Sequence, residues 1–239
     1  MTLNRADAWP ERTEVVLTRD GSRTLRPVGG EGYKSLAGAL TEARHVYLEG
    51  SGVGARLRAG APTRVLEIGF GTGLLFLVTA SLAAESGAEL SYVGVELQPP
   101  PAPLLKALGY AELLAPSPLP EQLTSWRAAL GAAPPFGEYT LQSGRTCLTL
   151  HVADALSAPL EPGVHAVYHD AFSPRTNPAL WQAPFLTSLA SLLEPQGSLV
   201  SFSVAGPVRR ALGAAGLEVR KLPGPPGGKR EVLVARRPA

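Results

Sequence analysis

Residues 63–74 read TRVLEIGFGTGL, from Thr63 to Leu74. Val65, Leu66 and Ile68 form a short apolar run, and Gly69, Gly71 and Gly73 follow it at alternate positions. An amphipathic stretch, LLFLVTASLAAES, then runs from Leu74 to Ser86. The order strand, tight glycine turn, helix is the opening of a nucleotide-binding α/β unit. Without a Cβ, glycine lets the backbone turn sharply and approach a ligand closely. The next apolar run, Leu90 to Val95, closes on Glu96, near the ~20-residue spacing of a ribose-binding acid. A dinucleotide fingerprint needs a third glycine where this chain has Leu74. The turn is instead E-x-G-x-G-x-G, with Glu67 at its head.

The 239 residues suffice for one large α/β domain with a substantial core. With 45% hydrophobic and 18% charged residues, the composition is that of an ordinary globular chain. Residues 1–12 contain no apolar core of a signal peptide, so none is expected. Leu74 to Ala84, the most apolar helical stretch, is too short to span a bilayer. Cys147 is the only cysteine, which argues against an internal disulfide and a cysteine-based metal site. The expectation is a cytoplasmic protein with no membrane partner and no metal. The formal charge of +2 is uneven. Residues 171–239 hold 9 basic and 3 acidic side chains, whereas residues 1–170 hold 13 and 17. A basic final third attracts phosphate, although a solvated surface explains it equally well.

Residues 1–60 read as an add-on in front of a core at 61–239. Glu14–Leu17 and Thr24–Val28 flank Asp20-Gly21, a hairpin signal. Leu36–Leu48 has helical spacing, and Val53–Leu57 predicts a second helix. In the core, strands are expected at 64–68, 90–96, 138–142, 146–152, 166–169, 199–204, 217–222 and 232–235. Helices are expected at 74–86, in pieces over 104–130, at 179–193 and at 207–215. Strands alternating with helices give a mainly parallel sheet. The last two strands are joined by the turn-rich Pro223 to Arg230 without a helix, so they should be antiparallel. The expected fold is α/β and Rossmann-like: a mainly parallel, seven-stranded sheet with an antiparallel edge pair. Its ligand should lie at the carboxyl ends of the strands.

Four acids follow or end strands: Glu67, Glu96, Asp154 and Asp170. Any one of them alone reads as a helix cap or loop acid, but four at successive strand ends imply a site. With the E-x-G-x-G-x-G turn, they fit class I methyltransferases that use S-adenosyl-L-methionine (SAM). Glu67 suits the ammonium of the methionine part, Glu96 the ribose hydroxyls and Asp154 the adenine amino group. Asp170 remains for the reacting end, while Gly69, Gly71, Gly73 and Tyr33 complete the expected cofactor set.

The most specific segment is DAFSPRTNPALW, from Asp170 to Trp181. It resembles the signature of the methyltransferase domain of the MnmC family, bacterial enzymes that make 5-methylaminomethyl-2-thiouridine in tRNA. EIGFGTGLLFL resembles that family's glycine loop, EARHVYLEGSGV its amino-terminal helix, and SFSVAGPVRRALGAAGLEVRKLPGPPGGKREVLVA its carboxy-terminal end. The resemblance covers about residues 33 to 235. Many members carry Asn where this chain has Leu75, and Lys where it has Leu97. Two-domain members carry a flavin-dependent oxidase domain as well; this chain resembles the stand-alone methyltransferase, with no fused oxidase expected. The resemblance implies methyl transfer from SAM to the amine of 5-aminomethyl-2-thiouridine at the tRNA wobble position. An alkyl amine is mostly protonated at neutral pH, and a carboxylate beside it can orient it and accept or relay its proton. That role falls to Asp170. His169 should point to the opposite face of the strand. Phe172 suits stacking on the uracil, Trp181 suits the core, and Arg175, Arg209, Arg210, Lys229 and Arg230 suit tRNA phosphates. Other readings are a small-molecule methyltransferase, an aminopropyltransferase, or a non-catalytic RNA-binding protein on the same fold.

Overall fold

The structure is a computed structural model and describes residues 12–114 and 116–239. Strands β1 (Thr13–Leu17) and β2 (Arg23–Pro27) pair antiparallel as the expected hairpin. The expected helix at 36–48 starts only at α1 (Ala39–Glu42) and continues as a π-helix over Ala43–Glu49. Gly38, at φ 146°, precedes it, and the Asp20 carboxylate accepts the N–H of Thr41 at 2.7 Å. Helix α2 (Val53–Arg58) follows.

The remaining chain runs β3 (Thr63–Ile68), α3 (Leu74–Ser86), β4 (Leu90–Glu96), α4 (Ala102–Ala107), α5 (Tyr110–Leu113), α6 (Leu119–Ala129), β5 (Gly137–Ser143), β6 (Thr146–Val152), β7 (Val164–His169), α7 (Ala183–Ser191), β8 (Leu193–Ser201), α8 (Gly206–Ala214), β9 (Glu218–Pro223) and β10 (Glu231–Arg236). The sheet order is β5-β6-β4-β3-β7-β8-β10-β9. Strands β6, β4, β3, β7 and β8 are mutually parallel. Strand β10 runs antiparallel to both β8 and β9, which supplies the expected antiparallel edge pair. The strand expected at 138–142 forms β5 and folds back antiparallel on β6 through Gly144 at the opposite edge, so the sheet has eight strands and not seven. Strand order reverses at β3, which has β4 on one side and β7 on the other. This topological switch point opens a crevice at the carboxyl ends of the strands.

Alternation along β3 divides the core. Val65 faces Phe76, Tyr92 and Tyr168, together with the amino-terminal residues Leu25, Val46 and Tyr47. Leu66 and Ile68 face Leu186, Leu189 and Leu212 from α7 and α8. Helix α3 differs from the amphipathic reading. Leu74 to Ala80 are all buried, because the π-helix and α2 cover the side that would otherwise meet water. The helix expected over 179–193 splits into a 3₁₀ turn at Pro178–Trp181 and α7. Pro184 lies in the first turn of α7, where proline is tolerated. Among the described residues, no helix is long and apolar enough to cross a membrane.

Candidate active site

The glycine turn is built as its sequence demands. The N–H groups of Gly69 and Phe70 both donate to the carbonyl of Val95 at 3.0 Å, tying the turn to the end of β4. Gly69 has φ +87° and Gly71 φ +52°, left-handed values that favour glycine. A Cβ on Gly69 would lie 2.9 Å from the Asp170 carbonyl oxygen, and one on Gly71 would lie 3.0 Å from the Tyr33 ring. The turn therefore joins three sequence-distant segments at one point. Glu96 braces it: one carboxylate oxygen accepts the Gly71 N–H at 2.9 Å and the other accepts the Gln98 N–H at 3.0 Å. Burial raises the Glu96 pKa, partly offset by these backbone donors.

A cavity of about 660 Å³ opens beside the turn. Its wall includes Tyr33, Gly69, Gly71, Glu96, Asp154, Asp170, Phe172 and Lys229 from the expected set. The amino-terminal region contributes Arg26, Glu31, Lys34 and Glu42. Tyr33 and Phe172 meet edge to face, with ring centroids 5.2 Å apart. Glu31 fastens the amino-terminal segment to the loop after β7, accepting the Oγ1 hydroxyl of Thr176 at 2.6 Å and the Oγ hydroxyl of Ser173 at 2.8 Å.

Asp170 follows β7 immediately, and its N–H donates to the Ile68 carbonyl at 3.0 Å. One carboxylate oxygen forms a short ion pair with Lys34, and the other accepts the hydroxyl of Tyr47. The Lys34 and Asp170 side chains are only 4% and 5% exposed, so this is a buried pair and not a solvated surface contact. Burial leaves the Asp170 pKa raised overall, with the Lys34 charge and the Lys34 and Tyr47 hydrogen bonds offsetting part of the rise. Burial lowers the Lys34 pKa, but the charge and hydrogen bond of Asp170 leave it raised overall. Glu42 shares the cavity wall. Burial, reinforced by the negative charge of Asp170, pushes its carboxyl up to about 7.

Several expected residues lie elsewhere. Glu67 does not line the cavity, because β3 alternation turns it into the core on the Val65 side. It is fully buried, with one oxygen accepting the Tyr92 hydroxyl at 2.7 Å and Oε1 unpartnered. Gly73, at φ +77°, caps α3 against Phe70 and Leu123, away from the cavity. Asp154 is exposed at the cavity wall, and its carboxylate accepts the Leu156 N–H at 3.0 Å. Lys229 reaches the wall with its ammonium 4.0 Å above the Phe202 ring. Arg175, Arg209, Arg210 and Arg230 are exposed outside the cavity lining. His169 is buried, stacked on Trp181 at 4.3 Å, and bonded to the Leu180 carbonyl at 2.8 Å. Burial holds its pKa down at about 4, so it stays neutral at pH 7.

The sequence reading missed Lys34, Tyr47 and Glu42. Lys34 belongs to no motif in the sequence, and Tyr47 falls inside the stretch 36–48 whose spacing predicts a regular helix. The signal available was the EARHVYLEGSGV stretch, which contains both Glu42 and Tyr47. In an α-helix, residues five apart stand about 140° from each other around the axis. The wider π winding from Ala43 to Glu49 shifts that register.

Residues 122–238 match the family model described as S-adenosyl-L-methionine-dependent methyltransferase. The chain is 37% identical over 228 residues to the tRNA 5-methylaminomethyl-2-thiouridine biosynthesis bifunctional protein MnmC of Chromobacterium violaceum, covering 90% of this chain and 33% of that protein. It is 40% identical over 214 residues to the protein of the same name from an Azoarcus species, covering 87% and 33%. The chain thus spans about a third of the length of the curated relatives it matches. Among solved structures, MnmC2 from Aquifex aeolicus aligns with a TM-score of 0.73 at 25% identity, covering 99% of this chain and 74% of that one. Thermotoga maritima spermidine synthase, at TM-score 0.56 and 13% identity, shares the fold alone. Residues 122–238 thus match the S-adenosyl-L-methionine-dependent methyltransferase family, and nearly the whole chain is similar to one third of the length of MnmC.

Proposed function

We propose that this chain methylates the primary amine of 5-aminomethyl-2-thiouridine at the wobble position of tRNA, using SAM. The observation that carries the reading is Asp170. It is a buried carboxylate on the cavity wall beside the glycine turn, with both oxygens fixed by Lys34 and Tyr47.

The residues present fit the cofactor. A Cβ at Gly69 or Gly71 would strike its neighbours, so the backbone itself faces the cavity there. Five carboxylates and three cations line the cavity, a balance that suits a positively charged ligand. When bound, SAM supplies a methyl group on a positively charged sulfur. Glu96 would hold the ribose hydroxyls and Asp154 the adenine amino group. Tyr33 would cover the glycine turn.

The rest follows from this chain's own groups. Asp170 orients the substrate amine and relays its proton onward. Lys34 and Tyr47 hold that carboxylate in one position, so the amine meets it already aligned. Phe172 offers a ring face or edge to the uracil. Arg175, Arg209, Arg210, Lys229 and Arg230 bind tRNA phosphates and set the register of docking. The test is methyl transfer to tRNA carrying the aminomethyl group, followed by nucleoside mass analysis. A gain of one methyl on that nucleoside supports the reading. Unmodified tRNA in the presence of bound SAM refutes it.

A further inference from the structure

Methylating a cationic amine releases one proton. The amine arrives as R–NH₃⁺ and must first lose a proton to expose its lone pair. The nitrogen then forms the N–CH₃ bond as the S–CH₃ bond breaks, and that bond's electron pair stays on sulfur. The product leaves as R–NH₂CH₃⁺, the sulfur becomes neutral, and the proton lost at the start remains to be placed. The cavity holds two buried carboxylates near its amino-terminal wall, Asp170 and Glu42. They are not equivalent. Asp170 is bonded by Lys34 and by Tyr47, a cation and a donor that both favour its ionised form. The Glu42 carboxylate accepts the backbone N–H of Ser35 and, among the described residues, forms no side-chain ion pair.

We propose that Glu42 takes the proton released from the substrate amine, while Asp170 stays ionised and positions that amine. The inference rests on the functional reading above and deepens it. It stands on geometry: Glu42 is 6% exposed, yet it belongs to the wall of the same cavity as Asp170. Electrostatics agree with it. Burial raises both carboxyls, but only Asp170 has a cation and a hydroxyl bonded to it, and such a difference in surroundings divides the roles of two acids. The charged groups acting on Glu42 are Asp170, which disfavours its ionisation, and Lys34 and Lys229, which favour it. Tyr47 also lies within its electrostatic reach. With burial, the balance puts its carboxyl at about 7 instead of 4.5. An acceptor raised by that much takes a proton about 300-fold more favourably than an ordinary glutamate. At neutral pH it is ionised in a large fraction of molecules before each turnover and returns the proton readily to water.

Single-turnover methylation of aminomethyl-bearing tRNA by the full chain and by Glu42→Gln, between pH 6 and 9, tests the assignment. The wild-type rate should rise through a midpoint near 7. Glu42→Gln should lose that midpoint and run about 10²–10⁴-fold slower at pH 7, with SAM and tRNA affinities within about threefold, far inside that loss. Glu42→Asp, which keeps the carboxylate, should recover part of the rate. A Gln variant that keeps the wild-type midpoint, whatever its rate, overturns the proposal, because a merely structural glutamate would leave the profile in place. The carboxyl infrared band lost in the Gln variant gives a reading independent of tRNA. A wild-type band titrating near 4.5 also overturns the assignment. A wild-type chain that transfers no methyl refutes the functional reading, and the role of Glu42 falls with it; transfer with an unchanged midpoint in the variant refutes Glu42 alone.

Discussion

Replacing Lys34 by Met probes the site through its buried ion pair. Methionine keeps the length and apolar stem of lysine but leaves Asp170 without its counter-charge. Both side chains are nearly inaccessible, at 4% and 5% exposure, so water cannot take over. Removing one partner of such a pair costs about 3–5 kcal/mol. The protein has an escape, which is to bind a proton on Asp170. From the ordinary aspartate value of 3.8, that costs at most about 4.4 kcal/mol at pH 7 and about 1.6 kcal/mol at pH 5, at 1.36 kcal/mol per pH unit. The sign follows from linkage. In the variant, the folded Asp170 pKa lies well above its unfolded value. Its contribution is therefore fully present below 3.8 and is lost as pH rises through the folded pKa. Glu42 and Glu67, both raised by burial and both relieved by the Lys34 charge, move in the same direction. Urea unfolding of both proteins should show a deficit of about 3–4 kcal/mol at pH 7, shrinking below about 2 kcal/mol at pH 5. Lys34→Met combined with Asp170→Asn, which removes the stranded charge, should restore most of the loss. A deficit under about 1 kcal/mol, the range of an exposed pair, or one that is equal at both pH values, would refute the buried pair.

Glu96→Ala removes two backbone-bonded carboxylate oxygens at the glycine turn. A hydrogen bond to a charged group is worth about 1.5–3 kcal/mol, so calorimetry should show SAM weakened about ten- to a hundredfold; unchanged affinity would place the ribose elsewhere. Asp170→Asn keeps the shape of the side chain but not its charge, and single-turnover transfer should fall about 10²–10⁴-fold while SAM still binds. A near-normal rate would reduce Asp170 to a residue that caps the Phe-Ser-Pro turn. Charge reversal at Arg209 and Arg210, both exposed, should weaken tRNA binding and flatten its dependence on salt without altering SAM affinity. Binding that survives it would move docking to another face.

What the sequence made legible is what local chemistry controls. The glycine turn, the strands that lead into it and the acids at their ends are local patterns, and Gly69, Gly71, Glu96 and Asp170 stand on the cavity as read. Glu67 misled because its direction depends on strand parity. Alternation sends Val65 and Glu67 together into the core, beneath Tyr92. The amino-terminal contribution was hidden for a different reason. Lys34 lies 136 residues before the aspartate it pairs with, and Tyr47 lies 123 residues before it. No spacing rule reaches across that distance. Nor does a helical wheel place Glu42 and Tyr47 correctly, since the wheel assumes an α-helix where the chain winds as a π-helix. The cost of that irregular winding is carried by packing: Val46 and Tyr47 are fully buried in the core that includes α3. The segment that reads as an addition in front of the core thus holds the one cation bonded to Asp170 among the described residues, and without it that carboxylate would have no reason to stay ionised in so dry a place.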